Sequence, residues 1–280
     1  MIPDTRTIKK FSLDSLKPRW TQTFAVCSIL LGTWVICAMF KVLLINVFKV
    51  DMFFSPLNPE NWYRVKDVVL KVAVDSVSFL LSLFFLVPLG LGVLRWFWRA
   101  ALGADDPVGN VFYYFSSLRL YFRAVSFYLL FVLRVLALGF VSFLPGYAAA
   151  VLTDENFYRL IGVQAPEIIN TFYALQFCLF IIGFVFFVPL IIRYFPSPVL
   201  LFSDEKLTPN EAYRHAARIS SGRKVEFVSL VFSFFGWLLL SALGVTIIFT
   251  LPYFLNTVVL YSSFVVNEYN YQLQVLNQGA

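Results

Sequence analysis

Four stretches of this chain, at about 22–48, 68–98, 119–145 and 168–195, are apolar and long enough to cross a bilayer. A hydrocarbon core of about 30 Å needs roughly 20 helical residues to span it. A fifth apolar region runs from Glu226 to Val266. At 1.5 Å rise per residue it would reach about 60 Å, too far for one crossing. It divides either near Ala242-Leu243-Gly244 or at Pro252, which predicts five or six transmembrane helices in all. The balance of the composition agrees. The chain is 60% hydrophobic and 14% charged, against about 45–50% and 25% in soluble domains. A soluble fold of this size buries only about three-quarters of its chain surface, so a soluble enzyme and a disordered scaffold are both excluded. The expected fold class is an all-α, polytopic helical membrane protein.

Orientation follows from where the few charges fall. Five of the 22 Lys and Arg residues lie in the first 20 positions, four in 95–123 and six in 193–224. The helix count puts these three segments on one face, which the positive-inside rule assigns to the cytoplasm. The loops around 51–67 and 146–170 are then outside. No basic residue follows Lys224, so the rule does not place the C-terminus. The twenty residues before the first apolar run contain Asp4 and Asp14, and that run is too long for a signal h-region. The first helix is therefore expected to be retained, with the N-terminus in the cytoplasm.

Two halves of the sequence resemble each other at a spacing of about 100 residues. Val87-Pro88-Leu89 recurs as Val188-Pro189-Leu190, and Asp105-Asp106 before Pro107 recurs as Asp204-Glu205 before Pro209. Ala137-Leu138-Gly139 recurs as Ala242-Leu243-Gly244, and Leu144-Pro145 as Leu251-Pro252. Each unit reads as a Pro-kinked helix, a short amphipathic helix and a second span. The organisation expected is a cytoplasmic segment at 1–20, a first transmembrane helix at 21–50, repeat units at 63–160 and 165–267, and a tail at 268–280. Thr208-Pro209-Asn210-Glu211 is a capping box with proline at the first helical position. Gly222 is the expected C-terminal cap of that helix, and Asp106-Pro107 is expected to start its counterpart in the first unit.

Glu211-Ala212, Gly222, Phe227, Ser233-Phe234 with Trp237, Pro252-Tyr253 and Tyr261 form a pattern in the last quarter of the chain. In these residues the stretch from Asp204 to Tyr261 resembles the C-terminal signature of a family of bacterial integral membrane proteins of unknown function, common in Firmicutes. It departs from that pattern at Ala216 and Ser220. The resemblance implies a bacterial multi-span helical protein and implies no chemistry.

Arg134 is the sharpest single feature. It is flanked by Val132, Leu133, Val135 and Leu136 in the 119–145 span. A central arginine costs about 2.5–3.5 kcal/mol on insertion scales, so it must find a counter-charge, a cavity or the bundle interior. Asp75 in the neighbouring span is the expected partner. The pair would either fix helix packing or form an anion or substrate site. Asp67, Lys71 and Asp75 share one helical face at i, i+4 and i+8, a spacing that ordinarily stabilises a helix end.

A basic collar of Arg95, Arg99, Arg119, Arg123, Arg193, Arg214, Arg218, Arg223 and Lys224 is interleaved with Trp96, Trp98, Tyr113, Tyr114 and Tyr121. This is an interfacial anchoring pattern that also attracts anionic headgroups, so these residues are candidates for lipid or partner binding. Pro88, Pro145, Pro189 and Pro252 are helix-break candidates, since proline frees a backbone carbonyl and such breaks line cavities in transporters.

Chemistry-bearing motifs are otherwise sparse. Cys27, Cys37 and Cys178 have no C-x-x-C spacing, and His215 is the lone histidine, with no ligand pattern beside it. No metal, cofactor, nucleic acid or catalytic role is expected. The reading is a membrane scaffold or accessory subunit that docks a partner or anionic lipid through its basic cytoplasmic face. The alternative is a transporter- or permease-like protein with a cavity between the repeat units near Arg134.

Overall fold

The computed structural model describes residues 4–51, 65–151, 166–241 and 246–278. Among them every regular element is helical, and six helical stretches are long and apolar enough to cross a membrane. The protein is an all-α, multi-pass membrane protein. Its helices are α1 (Thr5–Leu16), α2 (Trp20–Val47), α3 (Val65–Ala101), α4 (Leu118–Val151), α5 (Pro166–Ile192), α6 (Ser197–Ser203), α7 (Pro209–Ile219), α8 (Lys224–Phe232), α9 (Phe235–Ser241) and α10 (Ile247–Gln278). Short 3-10 segments occupy Lys17–Arg19 and Val108–Phe115.

The long apolar region at 226–266 divides between α9 and α10, near Ala242-Leu243-Gly244; residues 242–245 lie outside the described ones. Pro252 does not divide it. All four proline candidates sit inside continuous helices: Pro88 in α3, Pro145 in α4, Pro189 in α5 and Pro252 in α10. They are not helix breaks: each helix continues past its proline, and at Pro88 another group takes over the orphaned carbonyl.

The chain divides into two compact units that cut through α4 and α10. One comprises Arg6–Tyr128 with Trp237–Tyr261; the other comprises Met1–Thr5, Leu129–Gly236 and Ser262–Ala280.

In the first unit, α1 buries Ile8, Ser12 and Leu16, one residue per turn. Its polar contact is with α10. The two N–H donors of the Asn256 amide are shared among the Ser12 carbonyl (3.0 Å), Ser12 Oγ (3.0 Å) and Ser15 Oγ (2.9 Å). Thr257 Oγ1 lies 2.9 Å from Ser12 Oγ and 2.7 Å from the Tyr253 carbonyl. With its single proton on that carbonyl, Thr257 accepts from the Ser12 hydroxyl, so the set is mutually satisfied.

The C-terminus of α3 is closed from a distance. Gly103 takes a left-handed conformation (φ 84°) and Ala104 N–H reaches back to the Arg99 carbonyl, the arrangement that favours glycine after a helix. The Arg19 guanidinium then donates to the carbonyls of Ala100 (3.2 Å), Gly103 (3.4 Å) and Ala104 (2.7 Å). A cation there meets both the free carbonyls and the negative end of the helix dipole.

The segment after α3 differs from the expected amphipathic α-helix. Val108–Phe115 is a 3-10 turn whose N-cap is Pro107, with no side-chain cap. Asp106 does not start it. Its carboxylate is buried and ion-paired with Arg99 Nε at 2.7 Å, while its carbonyl accepts from the Trp96 indole N–H at 3.2 Å. The 3-10 backbone lies directly on α3 at Gly92, where an added Cβ would come within 1.9 Å of the Val111 carbonyl oxygen.

Pro88 cannot donate to the carbonyl four residues earlier. That carbonyl, Phe84 O, accepts instead from the Tyr121 hydroxyl on α4 at 3.1 Å. Tyr121→Phe is expected to cost about 1 kcal/mol, read as a lower thermal unfolding midpoint of the detergent-solubilised chain. In a Pro88→Ala background the amide of residue 88 supplies the donor, and the same substitution should lose most of its effect. An undiminished loss there would refute the assignment.

In the second unit α4 and α5 pack through small residues. A Cβ on Gly183 would meet the Ser142 carbonyl at 2.6 Å, and Gly139 and Gly146 face Phe187 and Phe180. Phe143 packs against both of those rings, at 5.4 and 6.1 Å. Close backbone approach and dispersion hold membrane helices together where hydrophobicity cannot. The box at α7 forms as expected, with Glu211 N–H on Thr208 Oγ1 and Thr208 N–H on Glu211 Oε2. Those bonds from Thr208 hold the Glu211 carboxyl below its ordinary range. α7 ends at Ile219 with Ser220 as its cap, and Gly222 (φ 89°) turns the chain into α8.

Candidate functional site

Arg134 lies halfway along the 34-residue α4, but its partner is not Asp75. The guanidinium donates to the Leu130 carbonyl at 3.0 Å and to Asn210 Oδ1 on α7 at 2.5 Å. It also sits 4.6 Å from the ring centroid of Tyr213 and 6.0 Å from that of Tyr194. Asp75 is claimed by two lysines, Lys41 of α2 at 2.9 Å and Lys71 at 3.9 Å. The sequence argument paired the two charges because each was the odd one in its span. It had no means of seeing that Lys41 meets Asp75 and Asn210 meets Arg134.

The elements around Arg134 form an alternating stack of cations and phenols. Phe131, one turn before Arg134, lies parallel to the Tyr213 ring at 6.3 Å. Tyr213 and Tyr194 meet edge-to-face at 5.5 Å, the geometry that ring quadrupoles favour. Arg193 also meets Tyr194, with Nη2 donating to Tyr194 Oη at 2.7 Å and its carbon Cζ 4.8 Å from the Tyr194 centroid. Ser220 anchors this end by donating to the Arg193 carbonyl at 3.0 Å.

Tyr213 is fully buried and hydrogen-bonded with Ser197; burial pushes its phenol well above the ordinary range, against the opposing pull of Arg134. That ring is therefore neutral at physiological pH. Among the described residues no carboxylate ion-pairs with Arg134 or Arg193. The Arg193 Nε–H is buried with no hydrogen-bond partner among the described residues.

The remaining collar residues separate into two groups. Arg95 lies over the Tyr113 ring at 3.4 Å, Arg99 holds Asp106, and Arg223 pairs with Glu268 at 2.9 Å. These side chains are committed inside the fold. Arg119, Arg214 and Arg218 are exposed, while Arg123 and Lys224 are half-buried. Arg214 and Arg218 are neighbours on the outer face of α7, whose inner face buries Ala212, Tyr213, Ala216 and Ile219.

A crevice of about 320 Å³ opens beside Pro88, walled by Val87, Gly90 and Leu94 of α3 and by Ala124 and Phe127 of α4. Its lining carries no charge and fits an apolar chain.

Sequence reasoning missed Tyr194, Tyr213 and Asn210 as partners of Arg134, and it missed Arg19, Ser12 and Asn256 altogether. Asn210 had a signal, since it falls inside the capping box at a position that faces outward from the helix start. Asn256 had one as well, as an amide inside an apolar run.

Residues 1–267 match the family model described as Protein of unknown function (DUF975), and the chain belongs to that family. No curated protein and no solved structure matches it.

Proposed function

We propose that this member of the family resides in a bacterial cytoplasmic membrane with its N-terminus in the cytoplasm, and works there as a scaffold or accessory subunit rather than as an enzyme. Its basic cytoplasmic face docks anionic lipid or a protein partner. The observation that carries the reading is α7. Its inner face is locked to the fold by Tyr213, while Arg214 and Arg218 are exposed on the opposite face, with no ion pair among the described residues. Basic residues next to a bilayer attract anionic headgroups by about 1 kcal/mol each. The concentration of basic residues in 1–20, 95–123 and 193–224 supports the cytoplasmic assignment of that face. The two units at 63–160 and 165–267 are read as a same-sense duplication that presents both basic segments together.

The transporter reading has less support. It needs Arg134 to move with a passing substrate, and its bonds to Leu130 and Asn210 hold the guanidinium in one place.

The test is charge reversal at Arg214 and Arg218 together. Arg223 is unsuitable because its loss would break the pair with Glu268. The double reversal should lower retention of phosphatidylglycerol, or of a co-purifying partner, by about tenfold, with the unfolding midpoint unchanged. Unchanged retention would sink the docking role.

A further inference from the structure

We infer that the Arg134–Tyr213–Tyr194–Arg193 cluster is a binding site for a phosphate group, distinct from the exposed face of α7. Three observations carry it. Both guanidinium carbons lie within 6.0 Å of the Tyr194 centroid, so two full positive charges share one ring. No carboxylate among the described residues ion-pairs with either. The Arg193 Nε–H is buried without a partner among the described residues, and a buried donor left unmade is unfavourable, more so when it belongs to a charged group.

Other arginines in the fold are matched: Arg99 has Asp106, Arg223 has Glu268, and Arg19 has three carbonyls. At Arg134 and Arg193 the partners are neutral, namely carbonyl, amide and phenol oxygens and ring faces. Cation–π contact orients a guanidinium without using its N–H donors, and among the described residues only two of the five on Arg134 and one of those on Arg193 are engaged. Two such forks held by aromatic rings suit the several oxygens of a phosphate, which guanidinium meets with parallel charge-assisted bonds. A lone carboxylate would answer one fork only. The phosphate belongs either to a lipid headgroup or to a soluble phosphate compound, and the experiment separates these sources.

The full chain is reconstituted with phosphatidylcholine alone or with added phosphatidylglycerol, then transferred to detergent for native mass spectrometry. In parallel, its unfolding midpoint is followed while inorganic phosphate is titrated against chloride at constant ionic strength. If the group is a headgroup, wild type retains phosphatidylglycerol in preference to phosphatidylcholine. In the Arg214→Gln, Arg218→Gln background, where only the cluster is left to hold lipid, adding Arg134→Gln with Arg193→Gln then lowers the remaining retention at least tenfold, and the Arg-to-Lys pair lowers it less. If the source is soluble, inorganic phosphate raises the wild-type midpoint and leaves that of the double glutamine variant unmoved.

Arg214→Gln with Arg218→Gln separates this site from the docking face. That variant should keep phosphate at the cluster even where surface docking is lost. Should the glutamine pair fail to fold, the wild-type arms decide. A wild-type chain with no preference for phosphatidylglycerol and no response to phosphate overturns the site. So does binding that the glutamine pair leaves intact.

Discussion

Gly92→Ala should destabilise the protein by about 3 kcal/mol, at the upper end of the cost of overpacking. The reason is the identity of the obstacle. The added methyl would fall 1.9 Å from the Val111 carbonyl oxygen, and that oxygen belongs to backbone, which cannot rotate away as a side chain can. The 3-10 segment must lift off α3. With it would go the neighbouring contacts of Asp106 with Trp96 and Arg99. Gly90, on the same helix, is the internal control, since nothing lies within 4 Å of a Cβ built there. Gly90→Ala should be neutral or gain up to about 1 kcal/mol from better helix propensity. Thermal unfolding of both variants in one detergent checks this. Indistinguishable midpoints would show that the 3-10 segment is not held against α3.

Asn256→Ala should cost about 2–3 kcal/mol, because the side chain is 1% exposed and its amide serves three acceptors on α1. Removal leaves the Ser12 hydroxyl short of a donor in a site that water does not enter, and opens a small cavity besides. Ser12→Ala should cost less. It deletes one hydroxyl but keeps the carbonyl that both Asn256 and Ser15 address. The two substitutions share one network and should not add. Limited trypsin digestion gives a second readout. With its anchor gone, α1 should be cut faster at Lys9, Lys10 and Lys17. Equal cleavage of variant and wild type would mean that α1 is held by its apolar face alone.

Much of the architecture was readable before any coordinate. The positions of the long helices follow from apolar runs of bilayer length, and the start of α7 follows from Thr208 and Glu211, three residues apart. Both are local patterns, complete within a few turns of chain. The errors have one physical source. Pro88 looked like a break because its missing amide is visible in the sequence. The replacement donor, Tyr121, lies 37 residues away. Asp106 looked like a helix start because acids usually favour that position, but Arg99 and the close approach at Gly92 drew the chain into a 3-10 turn instead. Arg134 and Asp75 looked complementary because a membrane leaves few charges to pair. Each had a nearer partner on an element whose placement no spacing rule supplies.

The amino-acid sequence by itself determined the solvent, the helices and the distribution of charge, because burying backbone and apolar side chains in lipid is decided segment by segment. The tertiary structure alone decided which of those charges are spent inside the fold and which remain available. Arg95, Arg99 and Arg223 went to internal partners, Arg214 and Arg218 stayed outside, and Arg134 and Arg193 came to rest on a pair of tyrosines, without a carboxylate among the described residues. Hydrogen bonds and ion pairs act over a few ångströms, so their pairing depends on which distant helices meet.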